Sequence, residues 1–239
     1  MNADKAPAIE VFADIWCPFA HVGLNAVREQ RAHAGREDVA IKVRSWPLEW
    51  VNEHPMEEEA TLEYARHLRD QVSPDLFADV ARSPFPTSTL DALVLAAAAY
   101  AASDERGEEV SFELRDAFFE HGRDVSDQRV LVDIAHACQV AVPDFNDRSA
   151  VERDWREGQS RGVKGSPHFF YAETEVFCPT LSITRDAGHG MKIERDLERL
   201  HEFLGVSFPH ADARHRIIPR GVSGRLESEG RSGGRTWHE

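Results

Sequence analysis

The sequence predicts an α/β fold in which a small sheet domain is interrupted by a large α-helical insertion. A strand, a helix and a second strand alternate within 8–49, which is the pattern of a βαβ unit. Residues 50–161 carry helical periodicity with few strand signals, and two strands and a helix return within 162–207. We therefore predict one discontinuous domain from 8–49 and 162–207, a helical insertion domain over 50–161 and a disordered tail over 208–239.

The βαβ unit follows from its apolar pattern. Residues 9–13 form a short apolar strand, and residues 19–34 carry apolar side chains at helical spacing, with Gly35 as the stop. Residues 39–43 alternate apolar and polar side chains, which is the period of a half-buried strand.

The insertion is predicted to be helical throughout. Ser88-Thr89-Leu90-Asp91 resembles a capping box that opens a buried, Ala-rich helix. The other predicted helices span 56–72, 108–121, 126–138 and 148–161.

The last unit combines a hairpin with an amphipathic helix. Residues 168–171 and 175–178 have strand character and are separated by a short polar turn, so they predict a hairpin. Residues 193–204 predict a helix with Ile193 at the start of its apolar face.

Charge and cysteine content exclude several classes of protein. Forty-two acidic against 28 basic residues give a net charge of −14, which disfavours nucleic acid and anionic membranes as partners. The beginning of the sequence lacks the pattern of a signal peptide, so we expect a cytoplasmic protein. The three cysteines lie far apart and no pair has metal-ligand spacing, so we expect neither a disulfide framework nor a metal.

Cys17 is the leading candidate for chemistry. It follows the first strand and precedes Pro18, which suits the first position of a helix. The free N–H groups and the dipole at a helix N-terminus favour a thiolate, so we expect a lowered pKa for Cys17. Cys17 as an inert, buried apolar residue is the alternative.

Two motifs resemble those of the DsbA-like thioredoxin family. They are Asp14-Ile15-Trp16-Cys17-Pro18 and Gly162-Val163-Lys164-Gly165-Ser166-Pro167, which stand on either side of the insertion. The chain is most similar to the cytoplasmic branch with FrnE-type oxidoreductases, 2-hydroxychromene-2-carboxylate isomerases and kappa-class glutathione transferases, and 112–135 looks like the FrnE insertion. The resemblance spans 8–207 and implies a thioredoxin-like fold with a large α-helical insertion.

The resemblance also implies roles for individual residues. Cys17 matches the cysteine that attacks a thiol or disulfide substrate, and Pro167 matches a cis-proline whose loop offers backbone hydrogen bonds to the substrate. Ala20 stands where the family has its second, resolving cysteine, so a dithiol reaction of the usual kind is not expected. We assign substrate contacts to Pro18, Phe19, Ser166 and Pro167.

Three further residues are candidates for accessory roles. Asp14 can accept a proton near the thiol or serve as an ordinary hydrogen-bonded carboxylate, and His21 can stabilise a thiolate or simply pack. Cys178 is a candidate for a remote resolving thiol, with packing at a strand end as the alternative. Cys138 lies on an apolar helix face, and we predict that it packs in the core.

Three functions remain open at this point. The first is a thiol-disulfide oxidoreductase with a single-cysteine Cys-Pro-Phe-Ala site, which forms mixed disulfides with a small molecule or a protein. The second is a transferase or isomerase that depends on glutathione or another small thiol, and the third is a redox-inactive peptide-binding or chaperone-like module. No tightly bound cofactor is expected, and glutathione or another low-molecular-weight thiol is the candidate for a small-molecule cofactor. A homodimer is an open alternative for the assembly.

Overall fold

The computed structural model describes residues 8–80, 84–185 and 191–207. The prediction of a disordered tail over 208–239 lies outside these residues. Across the described ranges, no helix combines the length and the apolar character needed to cross a membrane.

A four-stranded sheet forms the centre of the fold. Its strands are β1 (Ala8–Ala13), β2 (Ala40–Ser45), β3 (His168–Tyr171) and β4 (Thr174–Phe177), in the order β2-β1-β3-β4. β1 is parallel to β2 and antiparallel to β3, and β4 is antiparallel to β3. The apolar residues of β1 are buried because this strand lies inside the sheet, whereas β2 alternates buried and half-exposed side chains at an edge.

Helix α1 (Pro18–His33) connects β1 to β2, as predicted. Ala20, Leu24 and Val27 are fully buried in the same core as the sheet. The chain leaves the helix through Gly35, whose φ of +62° is a left-handed conformation that glycine adopts without strain.

The segment between β2 and β3 is helical, as predicted. Its helices are α2 (Leu48–Val51), α3 (Glu58–Gln71), α4 (Leu90–Ala102), α5 (Asp104–Phe119), α6 (Gln128–Ala137) and α7 (Ser149–Ser160). The predicted capping box at 88–91 is wrong. The Thr89 hydroxyl donates to Asp14 instead of capping α4, and the Asp91 carboxylate accepts hydrogen bonds from Arg148 and Gln128.

Side chains from the helical segment close the outer edge of β2. Three backbone N–H groups of this strand donate to polar side chains rather than to another strand. The pairs are Ile41 with Glu108 at 3.0 Å, Val43 with Tyr100 at 2.9 Å and Ser45 with Asp154 at 3.0 Å. The helical segment is therefore joined to the sheet by specific hydrogen bonds as well as by apolar packing.

Gly107 of α5 lies directly against the Tyr100 ring of α4. The Tyr100 hydroxyl also donates to the carbonyl of Ile41 at 2.9 Å, so two hydrogen bonds fix the ring. A Cβ atom at Gly107 would lie 2.0 Å from Cδ1 of that ring. Position 107 therefore requires a residue without a side chain.

The end of the fold corrects one sequence prediction. β5 (Leu181–Arg185) and β6 (Met191–Arg195) form a separate antiparallel hairpin, and α8 is Leu197–Ser207. The helix predicted from Ile193 therefore begins four residues later, because the alternation around Ile193 belongs to a strand. The Asp196 carboxylate accepts the N–H of Arg199, which satisfies a free donor in the first turn of α8.

Candidate functional site

Cys17 lies at the junction of β1 and α1, as predicted. It is the N-cap residue of α1, in an extended conformation, and Pro18 occupies the first turn. Its thiol donates a hydrogen bond to the backbone carbonyl of Ser166, with Sγ and O 3.2 Å apart. Cys17 is only 3% exposed, so its thiol is almost completely shielded from solvent.

The electrostatic environment of Cys17 is the opposite of the one predicted. Burial raises the pKa of the Cys17 thiol above its ordinary value, and the negative charge of Asp14 adds to this effect on the pKa. A hydrogen bond with the Ser166 side chain and the N–H groups of Ala20 and Phe19 lower the pKa but do not outweigh burial. The predicted thiolate is therefore wrong for the resting site, which holds a protonated thiol at neutral pH.

We expect this raised pKa to appear in the alkylation of Cys17. The iodoacetamide labelling rate of the tryptic peptide 6–28 should rise with pH and level off at a higher pH in the folded chain than in the urea-unfolded chain. The inflection point reports the pKa, whereas access changes only the plateau. An inflection below that of the unfolded chain would show that the helix N-terminus outweighs burial.

The Ser166–Pro167 dipeptide follows the helical segment in the sequence and contacts Cys17 in the fold. Its peptide bond is cis. The Ser166 hydroxyl accepts a hydrogen bond from the N–H of Asp14 at 3.0 Å, and the Ser166 carbonyl accepts the thiol of Cys17. The two sequence motifs are thus joined in the fold by hydrogen bonds to the hydroxyl and to the carbonyl of Ser166.

Asp14 is a fully buried carboxylate that organises the turn before Cys17. Its Oδ1 accepts the N–H of Ile15 at 2.6 Å and the hydroxyl of Thr89 at 2.7 Å, and its Oδ2 accepts the N–H of Leu48 at 2.5 Å. Burial raises the pKa of Asp14 to about 6, although these three hydrogen bonds lower it. Of the two roles considered from the sequence, the geometry matches the hydrogen-bonded structural carboxylate.

A buried arginine beneath the site was missed by the sequence analysis. Arg115 is fully buried on α5, and its Nη1 donates to the carbonyl and hydroxyl of Ser111, both at 2.7 Å. Its Nη2 donates to the backbone carbonyl of Asp14 at 3.1 Å. Burial lowers the pKa of Arg115 to about 10, while the charges of Asp14 and Cys17 act to raise this pKa. The signal in the sequence that could have identified Arg115 was the presence of a charged residue within the apolar stripe of α5.

The residues flanking Cys17 have different surroundings. Pro18 is buried, whereas Phe19 is half-buried and packs against Tyr64 of α3 with ring centroids 5.2 Å apart. Trp16 is fully buried and stacks on Phe85. Of the two aromatic residues that flank Cys17, Phe19 is the one accessible to a bound substrate.

His21 is directed to the end of α5 rather than to the thiol. Its Nε2 lies 2.6 Å from Oε1 of Glu120, and its ring stacks on Phe119 at 4.8 Å. The same Glu120 carboxylate accepts the N–H groups of Phe77 and Ala78. Burial acts to raise the pKa of Glu120, but these hydrogen bonds hold it below its usual value. The His21–Glu120 pair therefore anchors α1 to the helical segment.

Cys178 follows β4 and reaches the Ser166–Pro167 dipeptide. Its N–H donates to the carbonyl of Pro167 at 3.0 Å, and its side chain is half-buried. Cys138 is buried at the end of α6, where burial and the charges of Glu109 and Glu113 raise its pKa to about 11. Cys17, Cys138 and Cys178 are all free thiols.

A cavity of about 430 Å³ lies beside α1. Thr180 lines it with a buried hydroxyl that has no hydrogen-bond partner within the described part of the chain. Thr180 Oγ1 and Pro167 Cγ are each 3.5 Å from the position of a Cβ on Gly23, so Thr180 and Pro167 both lie close to Gly23 of α1. Its volume suits a small organic ligand.

The sheet, the cysteine at the start of α1 and the intervening helices define a thioredoxin-like protein with a helical insertion. The family model described as the DSBA-like thioredoxin domain matches residues 8–184. The chain therefore belongs to the DSBA-like thioredoxin family, which confirms the predicted family and fold class. No curated protein matches this chain.

Several solved structures share this fold at low sequence identity. A probable DsbA oxidoreductase from Streptomyces coelicolor is 18% identical with a TM-score of 0.57, and the match covers 94% of this chain and 95% of that one. A 2-hydroxychromene-2-carboxylate isomerase is 13% identical with a TM-score of 0.53, covering 71% and 88%. The cytosolic disulfide reductase DsbM from Pseudomonas aeruginosa with GSH is 12% identical with a TM-score of 0.50, covering 84% and 99%. The fold is thus shared by oxidoreductases and an isomerase.

Proposed function

We propose that this protein is a thiol-disulfide oxidoreductase that uses Cys17 as a single active thiol. The observation that carries the proposal is the position of Cys17, at the N-cap of α1 with its thiol against the Ser166 carbonyl. Ala20, one turn later, has no thiol to resolve a mixed disulfide. The product at Cys17 is then a mixed disulfide with glutathione, another low-molecular-weight thiol or a protein.

The reaction is a thiol-disulfide exchange. The Cys17 thiol loses its proton to solvent, and the thiolate attacks one sulfur of glutathione disulfide. A Cys17–glutathione disulfide forms, the original S–S bond breaks, and the second glutathione leaves as a thiolate that takes up a proton. The Ser166 carbonyl lies 3.2 Å from Cys17 Sγ, so the Ser166–Pro167 dipeptide would border the substrate in this reaction.

The raised pKa of Cys17 disfavours its release as a thiolate from the mixed disulfide. A thiol with a high pKa is a poor leaving group, and burial disfavours the charged thiolate but not the neutral disulfide. An incoming thiol therefore attacks Cys17 Sγ and expels glutathione more readily than it attacks the glutathione sulfur and expels Cys17. The same preference for the neutral disulfide supports a reductant rather than a strong oxidant, since strong oxidants stabilise their thiolate form.

The experiment that tests the proposal is glutathionylation of the full chain. Incubation with glutathione disulfide should oxidise Cys17, and mass spectrometry should find a disulfide on peptide 6–28. Cys17→Ser should lose this modification completely, because a serine hydroxyl does not take part in exchange.

The matched control is Cys138→Ser, which removes the buried thiol of α6 and should leave peptide 6–28 fully reactive. A peptide 6–28 that stays reduced in the wild-type chain over hours, up to pH 9, would refute the proposal. Equal modification of all three cysteine peptides would refute it as well, because the reaction would then lack a specific site.

A second candidate is a glutathione-dependent isomerase or transferase. The protonated, hydrogen-bonded thiol of Cys17 favours it, because a neutral thiol can donate to the sulfur of a bound cofactor without exchange. Saturable glutathione binding without a disulfide on peptide 6–28 would support this candidate over the first.

The proposal assigns the reaction to the cytoplasm. Free thiols and three widely spaced cysteines suit a reducing compartment, where glutathione is abundant. The partners are then small thiols or protein disulfides.

A further inference from the structure

Two cysteines from distant parts of the sequence converge on one dipeptide. The Cys17 thiol donates to the Ser166 carbonyl at 3.2 Å, and the Cys178 N–H donates to the Pro167 carbonyl at 3.0 Å. Consecutive carbonyls thus hold the two cysteines beside the same short segment. The third cysteine, Cys138, lies in the core of the helical segment and shares none of these contacts.

The backbone at Cys178 is unusual for its residue type. Its φ of +46° is in the left-handed region, where glycine is at ease and a side chain with a Cβ is strained. Cys178 directly follows β4, and its half-buried side chain packs against the apolar core. Strained conformations of this kind cluster at functional sites, because the surrounding structure enforces a required side-chain direction.

The two thiols also act on each other electrostatically. Burial raises the pKa of Cys178 to about 12, and the negative charge of Cys17 is the next cause of this raised pKa. Repulsion disfavours the presence of both thiolates, and a shared disulfide removes both charges. The arrangement therefore favours oxidation of the pair over ionisation of either member.

We propose that Cys178 resolves the mixed disulfide at Cys17 and forms an intramolecular Cys17–Cys178 disulfide. This inference rests on the proposed function, since it requires a mixed disulfide at Cys17. Cys178 supplies the resolving thiol that Ala20 lacks.

The resolving step balances without a further reactant. The Cys178 thiol releases its proton to solvent, and its thiolate attacks Sγ of Cys17. The Cys17–glutathione bond breaks, and glutathione leaves as a thiolate that takes up a proton. Over both steps, two protein thiols are oxidised to one disulfide and one glutathione disulfide is reduced to two glutathione molecules.

The three cysteines lie on separate tryptic peptides, so the products can be told apart. These peptides are 6–28 with Cys17, 130–148 with Cys138 and 165–185 with Cys178. The full chain is incubated with glutathione disulfide, quenched with acid, alkylated and digested without reductant. The wild-type chain should give a disulfide between 6–28 and 165–185 and little glutathione on 6–28.

Replacing Cys178 should stop the reaction at the mixed disulfide. Cys178→Ala is expected to lose the cross-link and accumulate glutathione on peptide 6–28. Cys178→Gly should do the same, and it removes the strain of the left-handed backbone, so a folding defect cannot account for the result. Cys138→Ser should give the wild-type cross-link.

The outcomes separate the two proposals. Equal glutathione on peptide 6–28 in the wild type and both Cys178 variants, without a cross-link, overturns the resolving role and leaves the proposed function intact. A cross-link from 6–28 to 130–148 overturns it too. A peptide 6–28 without any disulfide in all chains overturns both proposals.

Discussion

Replacing Arg115 by methionine is expected to lower the free energy of unfolding by about 3–5 kcal/mol, the usual cost of removing one member of a buried charged network. Methionine fills a similar volume, so packing changes little. The loss arises because the Asp14 carbonyl and Ser111 lose their buried donor, and because the charge of Arg115 no longer acts on Asp14. Urea denaturation measures this difference.

The pH dependence of this loss distinguishes an electrostatic role from simple packing. The pKa of Asp14 is raised to about 6 in the folded chain, so the folded state binds the proton more tightly than the unfolded state. Stability therefore falls as pH rises from about 4 to about 6 and stays lower above that range. Without Arg115 the pKa of Asp14 should rise further, and the deficit of the variant should be larger at pH 8 than at pH 5.

The control for Arg115 lies on the same helix. The Arg106 side chain is 36% exposed and pairs with Glu109 one turn away, so Arg106→Met should change stability little and show no such pH dependence. Equal losses at Arg106 and Arg115, or a deficit at Arg115 that is independent of pH, would contradict the electrostatic role.

Gly107→Ala is expected to lower the free energy of unfolding by about 3 kcal/mol through overpacking. The new Cβ would lie 2.0 Å from the Tyr100 ring, which cannot move without breaking its hydrogen bonds to Ile41 and Val43. This loss outweighs the gain in helix propensity of roughly 1 kcal/mol for alanine over glycine.

Two comparisons isolate this contact. Gly205→Ala in α8 meets nothing within 4 Å, so the same substitution there should be neutral or stabilising. In a Tyr100→Ala background the ring is gone, and Gly107→Ala should cost nothing further, as a double-mutant cycle would show. Additive losses of the two substitutions would mean that the Tyr100 contact is not the cause.

The local periodicity of apolar residues predicted most of the helices and strands, because the same residues face the core in the structure. The helix over 19–34 and the strands at 9–13 and 168–171 were found within a residue or so at each end. The hairpin of β5 and β6 was missed because Ile193 fits two patterns. It alternates with the polar residues of β6 and also stands at helical spacing from Leu197, and the tertiary pairing with Ile183 decides between them.

The geometry of the site required knowledge that local sequence does not carry. The sequence predicted that Cys17 lies at a helix N-terminus, but it could not show that the thiol is almost completely buried. Burial reverses the predicted direction of the pKa shift of Cys17. Thr89 and Arg115 contact Asp14 from 75 and 101 residues away. Such contacts depend on how the helical segment packs, so the roles of both residues emerge only from the fold.

The closed edge of β2 limits how this protein can associate. An uncovered edge strand can accept a strand from a second chain, which leads to sheet extension or aggregation. Here Glu108, Tyr100 and Asp154 already occupy the outward N–H groups of β2, so a strand added at this edge would have to displace three buried or half-buried side chains. A homodimer built by continuing the sheet, or a peptide captured as an extra strand, would therefore have to join at β4, on the side of the sheet that carries Cys178.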